Sequence, residues 1–146
     1  MPEDNTAEPT ISVTDAPDPR DTGLIATGLA NYNVSKGGLP DFKPIAVLAT
    51  DPETGETIGG LYGRTSFGQL FVERFFLPEK YRGSGLGSRV LAMAEAEGKR
   101  RGCGIAALFT LEVQAPGFYL KQGWTMAAKL ECPPPGITRY LMTKKL

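Results

Sequence analysis

The stretch LPEKYRGSGLGSRVL, Leu77–Leu91, decides the fold, because glycine and serine crowd the start of a run with helical periodicity. The residues before it, LFVERFFL from Leu70 to Leu77, are nearly all apolar, which predicts a central strand buried on both faces. The residues after it predict a helix that begins near Gly85. The segment is therefore a strand, a glycine-rich turn and a helix, with Arg82 directly in front of the glycines.

This turn has the composition of an anion-binding site. The first amides of a helix have no partner within the helix, and the helix dipole places partial positive charge there. Small residues leave those amides accessible: Gly83, Ser84, Gly85, Gly87 and Ser88. Arg82 adds a full charge in a forked geometry, so the turn fits a pyrophosphate. The alternative is a tight turn at a helix start that binds nothing.

Two common phosphate-binding patterns do not match this turn. A dinucleotide fingerprint, G-x-G-x-x-G, would need glycine where Ser88 stands, and a Walker A loop would need lysine after Gly87. The pattern present is R-x-x-G-x-G, at Arg82, Gly85 and Gly87.

Composition excludes several other classes of function. The chain has 146 residues, 16 basic and 16 acidic side chains and no histidine. Histidine-dependent triads and zinc hydrolases are therefore excluded, no metal is expected, and a neutral chain predicts no nucleic-acid partner. No apolar run is long enough for a membrane span, and two cysteines in a chain of this size are expected to be free thiols in the cytoplasm.

The rest of the chain predicts a single α+β domain over residues 10–146, after a frayed tail over residues 1–9. Alternation in TISVTDA predicts a short strand, and DPRDTGLIATGLANYNVS predicts a helix. The other predicted strands lie in IAVLAT, TIGGLYGR, IAALFTLEV, WTMAAKL and TRYLMTKKL, and APGFYLKQ predicts a short helix.

The motifs together resemble the GNAT superfamily, the Gcn5-related N-acetyltransferases. The R-x-x-G-x-G spacing is similar to motif A of that family, which binds acetyl-CoA. QAPGFYLKQGW is similar to its motif B, with Tyr119 four residues before Gly123 and Trp124. LYGR, RRGC, APGFY and PPPG-x-x-RY further resemble a small, single-domain bacterial subgroup, so that the resemblance covers nearly the whole chain.

The resemblance implies a fold and a reaction. The fold is a twisted, mixed and mostly antiparallel sheet of six to seven strands, flanked by about four helices. The activity is transfer of an acetyl group from acetyl-CoA to a primary amine of a small molecule or a peptide, by direct attack through a tetrahedral intermediate. A homodimer is common in the family. The alternative is a non-catalytic module that only binds acyl-CoA.

Residue roles follow from the same resemblance. Tyr119 corresponds to the general acid that protonates the leaving sulfur, and Glu73, on the strand before the turn, is the expected base. Glu112 or a water molecule is the alternative base. The residues expected to bind the cofactor are Phe75, Leu77, Arg82, Gly83, Ser84, Gly85, Leu86, Gly87, Ser88 and Gln114. The subgroup commonly has a histidine after PPG where this chain has Ile137, which implies a different acceptor pocket.

Overall fold

The computed structural model describes residues 7–113, 116–134 and 136–146, which form an α+β fold with three α-helices and one six-stranded sheet. The chain divides into two compact units, one ending at Pro40 and the other running from Asp41 to Leu146. The single domain predicted over residues 10–146 stays a prediction.

The first unit contains helix α1, Pro19–Ser35, as the sequence predicts. Asp18 caps it, since its carboxylate accepts a hydrogen bond from the Arg20 amide at 2.8 Å. The strand predicted around Ile11 and Val13 is wrong: these residues form no strand and both side chains are exposed. Alternation over a few residues is not sufficient for a strand that lacks a hydrogen-bonded neighbour.

The second unit is built on the sheet, whose strand order is β1-β2-β3-β4-β6-β5. The strands are β1 Lys43–Thr50, β2 Thr57–Ser66, β3 Gln69–Phe76, β4 Ile105–Leu111, β5 Thr125–Cys132 and β6 Ile137–Lys145. All neighbours are antiparallel except β3 and β4, which are parallel. The predicted mixed, mostly antiparallel sheet is confirmed, with six strands and three α-helices against the six to seven and about four predicted.

Helix α2, Leu86–Arg100, is the crossover between the parallel strands β3 and β4. It buries Val90, Leu91, Ala94 and Gly98 and contacts β1, β2 and β3. At its far end the Arg101 guanidinium donates to the Pro44 carbonyl at 3.0 Å. This contact ties the carboxyl end of α2 to the edge strand β1.

The core lies between α2 and the sheet. Its largest fully buried side chains are Leu61, Leu70, Leu91, Leu108 and Met142. The other face of β3 is not buried: Glu73, Arg74 and Phe76 are exposed, so the prediction of a strand buried on both faces is wrong. The sequence is apolar without interruption from Phe75 to Leu77 because Phe75 and Leu77 face the core and the residue between them, Phe76, is also aromatic although it faces outward.

The strands β3 and β4 separate halfway along their length. They pair from Gln69↔Ile105 to Val72↔Leu108, and within these described strands the pairing stops there although β3 continues to Phe76. On the other side β3 bulges against β2, because Tyr62 pairs with Arg74 while Gly63 pairs with Val72. The extra residue in this bulge is Glu73.

Both cysteines are free, with Cys103 buried and Cys132 half-buried. None of the helices among the described residues is long and apolar enough to cross a membrane.

Candidate active site

A cavity of about 640 Å³ opens where β3 and β4 separate. It lies between the end of β3, the start of α2 and the short helix α3, Pro116–Lys121. The predicted site residues that line it are Phe75, Leu77, Arg82, Gly83, Gly85, Gly87, Ser88 and Tyr119. Two sequence motifs, one at the start of α2 and the other around α3, therefore meet at one cavity.

The glycine-rich turn leaves the start of α2 open. Gly83 and Gly85 have φ angles of 79° and 81°, in the left-handed region that glycine adopts without strain. A Cβ at either residue would meet no atom within 4 Å, so the approach to the backbone at these two glycines is open. The first helical hydrogen bond runs from the Arg89 amide to the Gly85 carbonyl, so the three preceding amides point toward this space.

Side chains of the turn hold its own backbone. The Arg82 Nε donates to the Leu77 carbonyl at 3.3 Å, and the Ser84 hydroxyl donates to the Tyr81 carbonyl at 2.6 Å. The Ser84 hydrogen is thus engaged within the turn, and Leu86 packs against the hydrophobic core instead of lining the cavity.

Tyr119 lies in an aromatic cluster at the wall of the cavity. Its ring packs edge-on against Phe118 at 5.2 Å and against Trp124 at 5.9 Å, and Phe118 in turn contacts Phe75 at 6.1 Å. Burial among these rings raises the pKa of Tyr119 to about 12. At neutral pH the phenol carries its hydrogen, as an unshifted tyrosine also would, and the raised pKa extends this state to strongly alkaline pH.

Glu73 lies apart from the cavity lining. The Nη1 atom of Arg64, on β2, lies 2.7 Å from the Glu73 carboxylate and forms an ion pair with it. Both side chains are 39% exposed. Arg64 also stacks over the Phe71 ring at 4.6 Å. Glu112 is exposed just beyond β4, and Gln114 lies outside the described residues.

Six residues that line the cavity were not predicted from the sequence as site residues. They are Phe76, Thr110, Val113, Phe118, Lys121 and Gln122. Phe118 and Lys121 lie next to or close to Tyr119 in motif B, so their positions in the sequence could have predicted that they line the same cavity. Thr110 gave no such signal in the sequence, since only the separation of β4 from β3 brings it to the cavity.

Among residues 7–113, 116–134 and 136–146, no group of three or more acidic, cysteine or histidine side chains is placed to hold a metal.

Comparison with known proteins identifies the family. Residues 43–126, more than half of the chain, match the model of the acetyltransferase (GNAT) domain. The chain belongs to the GNAT acetyltransferase family. The matched segment contains the cavity, the glycine-rich turn and α3.

Relatives of this GNAT acetyltransferase carry the same activity in their names. It is 41% identical to blasticidin-S acetyltransferase of Streptomyces morookaense, over 71% of this chain and 79% of that protein. It is 33% identical to an acetyltransferase of Agrobacterium fabrum strain C58, over 81% and 85% of the two chains. A crystal structure from Agrobacterium tumefaciens, described as an acetyltransferase, superposes with a TM-score of 0.84 at 29% identity, covering 94% of this chain and 99% of that one.

The raised pKa of Tyr119 predicts a loss of stability at alkaline pH. The pKa of tyrosine is near 10 in the unfolded chain and about 12 for Tyr119 in the folded protein. The neutral phenol therefore contributes fully to the free energy of unfolding below pH 10, and this contribution is lost as the pH rises toward 12. Two pKa units correspond to about 3 kcal/mol. The difference in unfolding free energy between the wild type and Tyr119→Phe should fall by about that amount across this window, measured by urea denaturation. A difference that is independent of pH would contradict the burial of this phenol.

Proposed function

We propose that this protein transfers an acetyl group from acetyl-CoA to a primary amine of a small molecule or a peptide, with the cavity between β3 and β4 as the donor site. One observation carries the proposal: the open amino end of α2 and the protonated Tyr119 line the same cavity. The free thiols agree with a cytoplasmic location, and the family allows a homodimer.

The turn and α2 form the phosphate end of this donor site. A pyrophosphate needs hydrogen-bond donors, positive charge and close access to the backbone. The amides at the start of α2 are the donors, and Gly83 and Gly85 leave the approach free of Cβ atoms. Arg82 and Lys121 bring two cations to the cavity wall. The residues present thus fit the pyrophosphate of CoA.

The separated strand forms the rest of the donor site. Beyond Val72 the strand β3 has no pairing with β4, so an extended pantetheine chain can lie against its edge near Phe75 and Leu77. A β3 backbone amide there is the proposed donor to the thioester oxygen. The Leu77 carbonyl already accepts from Arg82, so it fixes the turn to the strand. Acetyl-CoA supplies the activated acyl group.

Tyr119 is the proposed general acid. A thiolate leaving within this cavity is disfavoured by the same desolvation that raises the pKa of the phenol. A hydrogen bond from the phenol to the sulfur lowers that penalty as negative charge develops, and because the raised pKa of Tyr119 disfavours a free phenolate, the proton is shared with the sulfur while the C–S bond breaks. The contacts with Phe118 and Trp124 hold the ring in one orientation for this step.

Glu73 is the proposed base, acting directly or through a water molecule. It projects from a bulge at the point where β3 leaves β4, and Arg64 fixes its carboxylate. A bulge of this kind re-aims a side chain next to an active site. The bulge depends on Gly63, because a Cβ there would collide with the Phe71 carbonyl oxygen.

The acceptor is proposed to bind next to Phe76. The Phe76 side chain is 60% exposed and lines the cavity. Gly60 on β2 pairs with Phe76 on one side and with Leu48, which is 61% exposed, on the other. Tyr62 is two residues from Gly60 along β2 and lies on the same face. These apolar side chains suit an amine that presents an apolar or aromatic edge, and the 41% identity to blasticidin-S acetyltransferase supports an antibiotic as the small-molecule acceptor.

Donor binding predicts a difference between the two ends of α2. Gly85→Ala forces a side chain onto a φ of 81° at the cavity, whereas Gly102→Ala imposes the same strain at φ 87° beyond the far end of the helix. Calorimetric titration with acetyl-CoA should show an affinity at least tenfold weaker for Gly85→Ala and for Arg82→Ala, which loses a charge-assisted contact. Gly102→Ala should bind as the wild type does. Equal losses in both glycine variants would contradict a site at the turn.

Loss of the acid should separate binding from turnover. Tyr119→Phe keeps the ring and removes the hydroxyl, so acetyl-CoA affinity should persist while kcat falls roughly a hundredfold. Release of free CoA measures turnover, with the acceptor chosen from a panel of blasticidin S, polyamines, aminoglycosides, amino acids and N-terminal peptides. Unchanged turnover would remove Tyr119 as the acid. Binding without turnover on any amine would favour the acyl-CoA-binding module.

Loss of the base should appear in kcat/KM for the amine. Glu73→Gln should lower it about a hundredfold at neutral pH, with less effect at alkaline pH, where the free amine no longer needs a base. Glu53→Gln, in the exposed β1–β2 turn, is the matched control and should behave as the wild type. A loss confined to Glu112→Gln would assign the base to the other carboxylate.

A further inference from the structure

We infer that Lys144 is a positioning residue for Tyr119, because it fixes the carboxyl end of α3 to both the sheet and α2. The inference rests on the proposed role of Tyr119 as the acid. Lys144 lies on β6 and does not line the cavity, so it acts through the backbone it holds.

The contacts of Lys144 join three elements. Its ammonium donates to the Gln122 carbonyl at 2.8 Å and pairs with the Glu95 carboxylate of α2 at 2.6 Å. The side chains of Glu95 and Lys144 are only 13% and 30% exposed, so water screens this pair less than a surface ion pair. Gln122 follows directly after α3, and a carbonyl at the end of a helix needs a donor from outside it.

Helix α3 depends on such an external contact. It has six residues, too few to be stable by its own hydrogen bonds. Tyr119 lies in its last turn, and the Tyr119 carbonyl accepts from the Gln122 and Trp124 amides, both at 3.0 Å. A shift of the backbone at Gln122 would therefore move Tyr119 directly.

The partners of Lys144 explain why a lysine suits this place. Glu95 lies on the helix whose amino end borders the cavity, and Gln122 follows the helix that carries Tyr119. One ammonium, with three donors, thus links the two helices that border the site. A displacement of about 1 Å at a reacting group can lower a rate a hundredfold.

Trp124 provides a readout that does not depend on activity. It is the only tryptophan of the chain, it is 3% exposed, and its ring contacts Tyr119. Its emission therefore reports on the end of α3. Release of α3 from Lys144 should admit water to the indole and shift the emission to longer wavelength.

The test compares Lys144→Met with Lys145→Met. Lys145 is the adjacent residue of β6, exposed and on the opposite face of the sheet, and its variant should resemble the wild type. Lys144→Met should red-shift the Trp124 emission and lower kcat ten- to a hundredfold, with a smaller rise in KM for acetyl-CoA because Lys121, at the same end of α3, lines the donor site. An unshifted emission, or equal effects in both variants, would overturn the inference.

A double mutant separates positioning from general damage. If Lys144 acts through Tyr119, then Lys144→Met should lower kcat in the wild type and have no further effect in Tyr119→Phe. The same loss in both backgrounds would overturn the inference. If Tyr119→Phe alone leaves kcat unchanged, the acid role fails, and the emission of Lys144→Met still decides whether Lys144 holds α3.

A second variant allows for instability. Lys144→Met leaves the Glu95 carboxylate unpaired and mostly buried, which lowers the melting temperature. Adding Glu95→Met removes that charge and should restore the melting temperature without restoring the emission or kcat, since the Gln122 carbonyl still lacks its donor. Recovery of kcat in the double variant would overturn the inference.

Discussion

The site depends on one constraint of chain geometry, the parallel pairing of β3 and β4. Parallel strands cannot be joined by a tight turn, so the chain must cross over through a helix, here α2. The start of that helix lines the cavity that opens beyond Val72, where the two strands no longer pair. The open edge of a strand and the positive end of a helix therefore occupy one place. A chain that paired these strands along their full length would have no cavity there.

Local signals were sufficient for the local parts of this arrangement. The apolar run before Leu77, the glycines after Arg82 and the periodicity of α2 predicted a strand, a turn and a helix, and the structure has all three. The short strand around Ile11 failed because pairing is not a local property. The exposed face of β3 was missed because a run of aromatic residues looks the same whether one face or both are buried.

The features that the sequence did not predict are contacts between residues that lie far apart in the chain. The sequence predicted Glu73 as the base on the strand before the turn, but it did not identify Arg64 as its partner. The turn at Phe67 and Gly68 would have placed Arg64 near Glu73 had the register of the hairpin been extended from it. The bulge could not have been found in this way, and neither could the contacts of Lys144, which depend on how β6 lies beside β4.

The hydrogen bonds within the glycine-rich turn have a consequence for the proposed binding of acetyl-CoA. Arg82 holds the Leu77 carbonyl, Ser84 holds the Tyr81 carbonyl, and the glycines already have left-handed backbone angles. The turn is therefore ordered by folding, before any ligand arrives, and little conformational entropy remains to be lost on association. Recognition of the donor should be close to rigid docking, with an association rate limited by orientation and charge attraction and not by rearrangement of the loop.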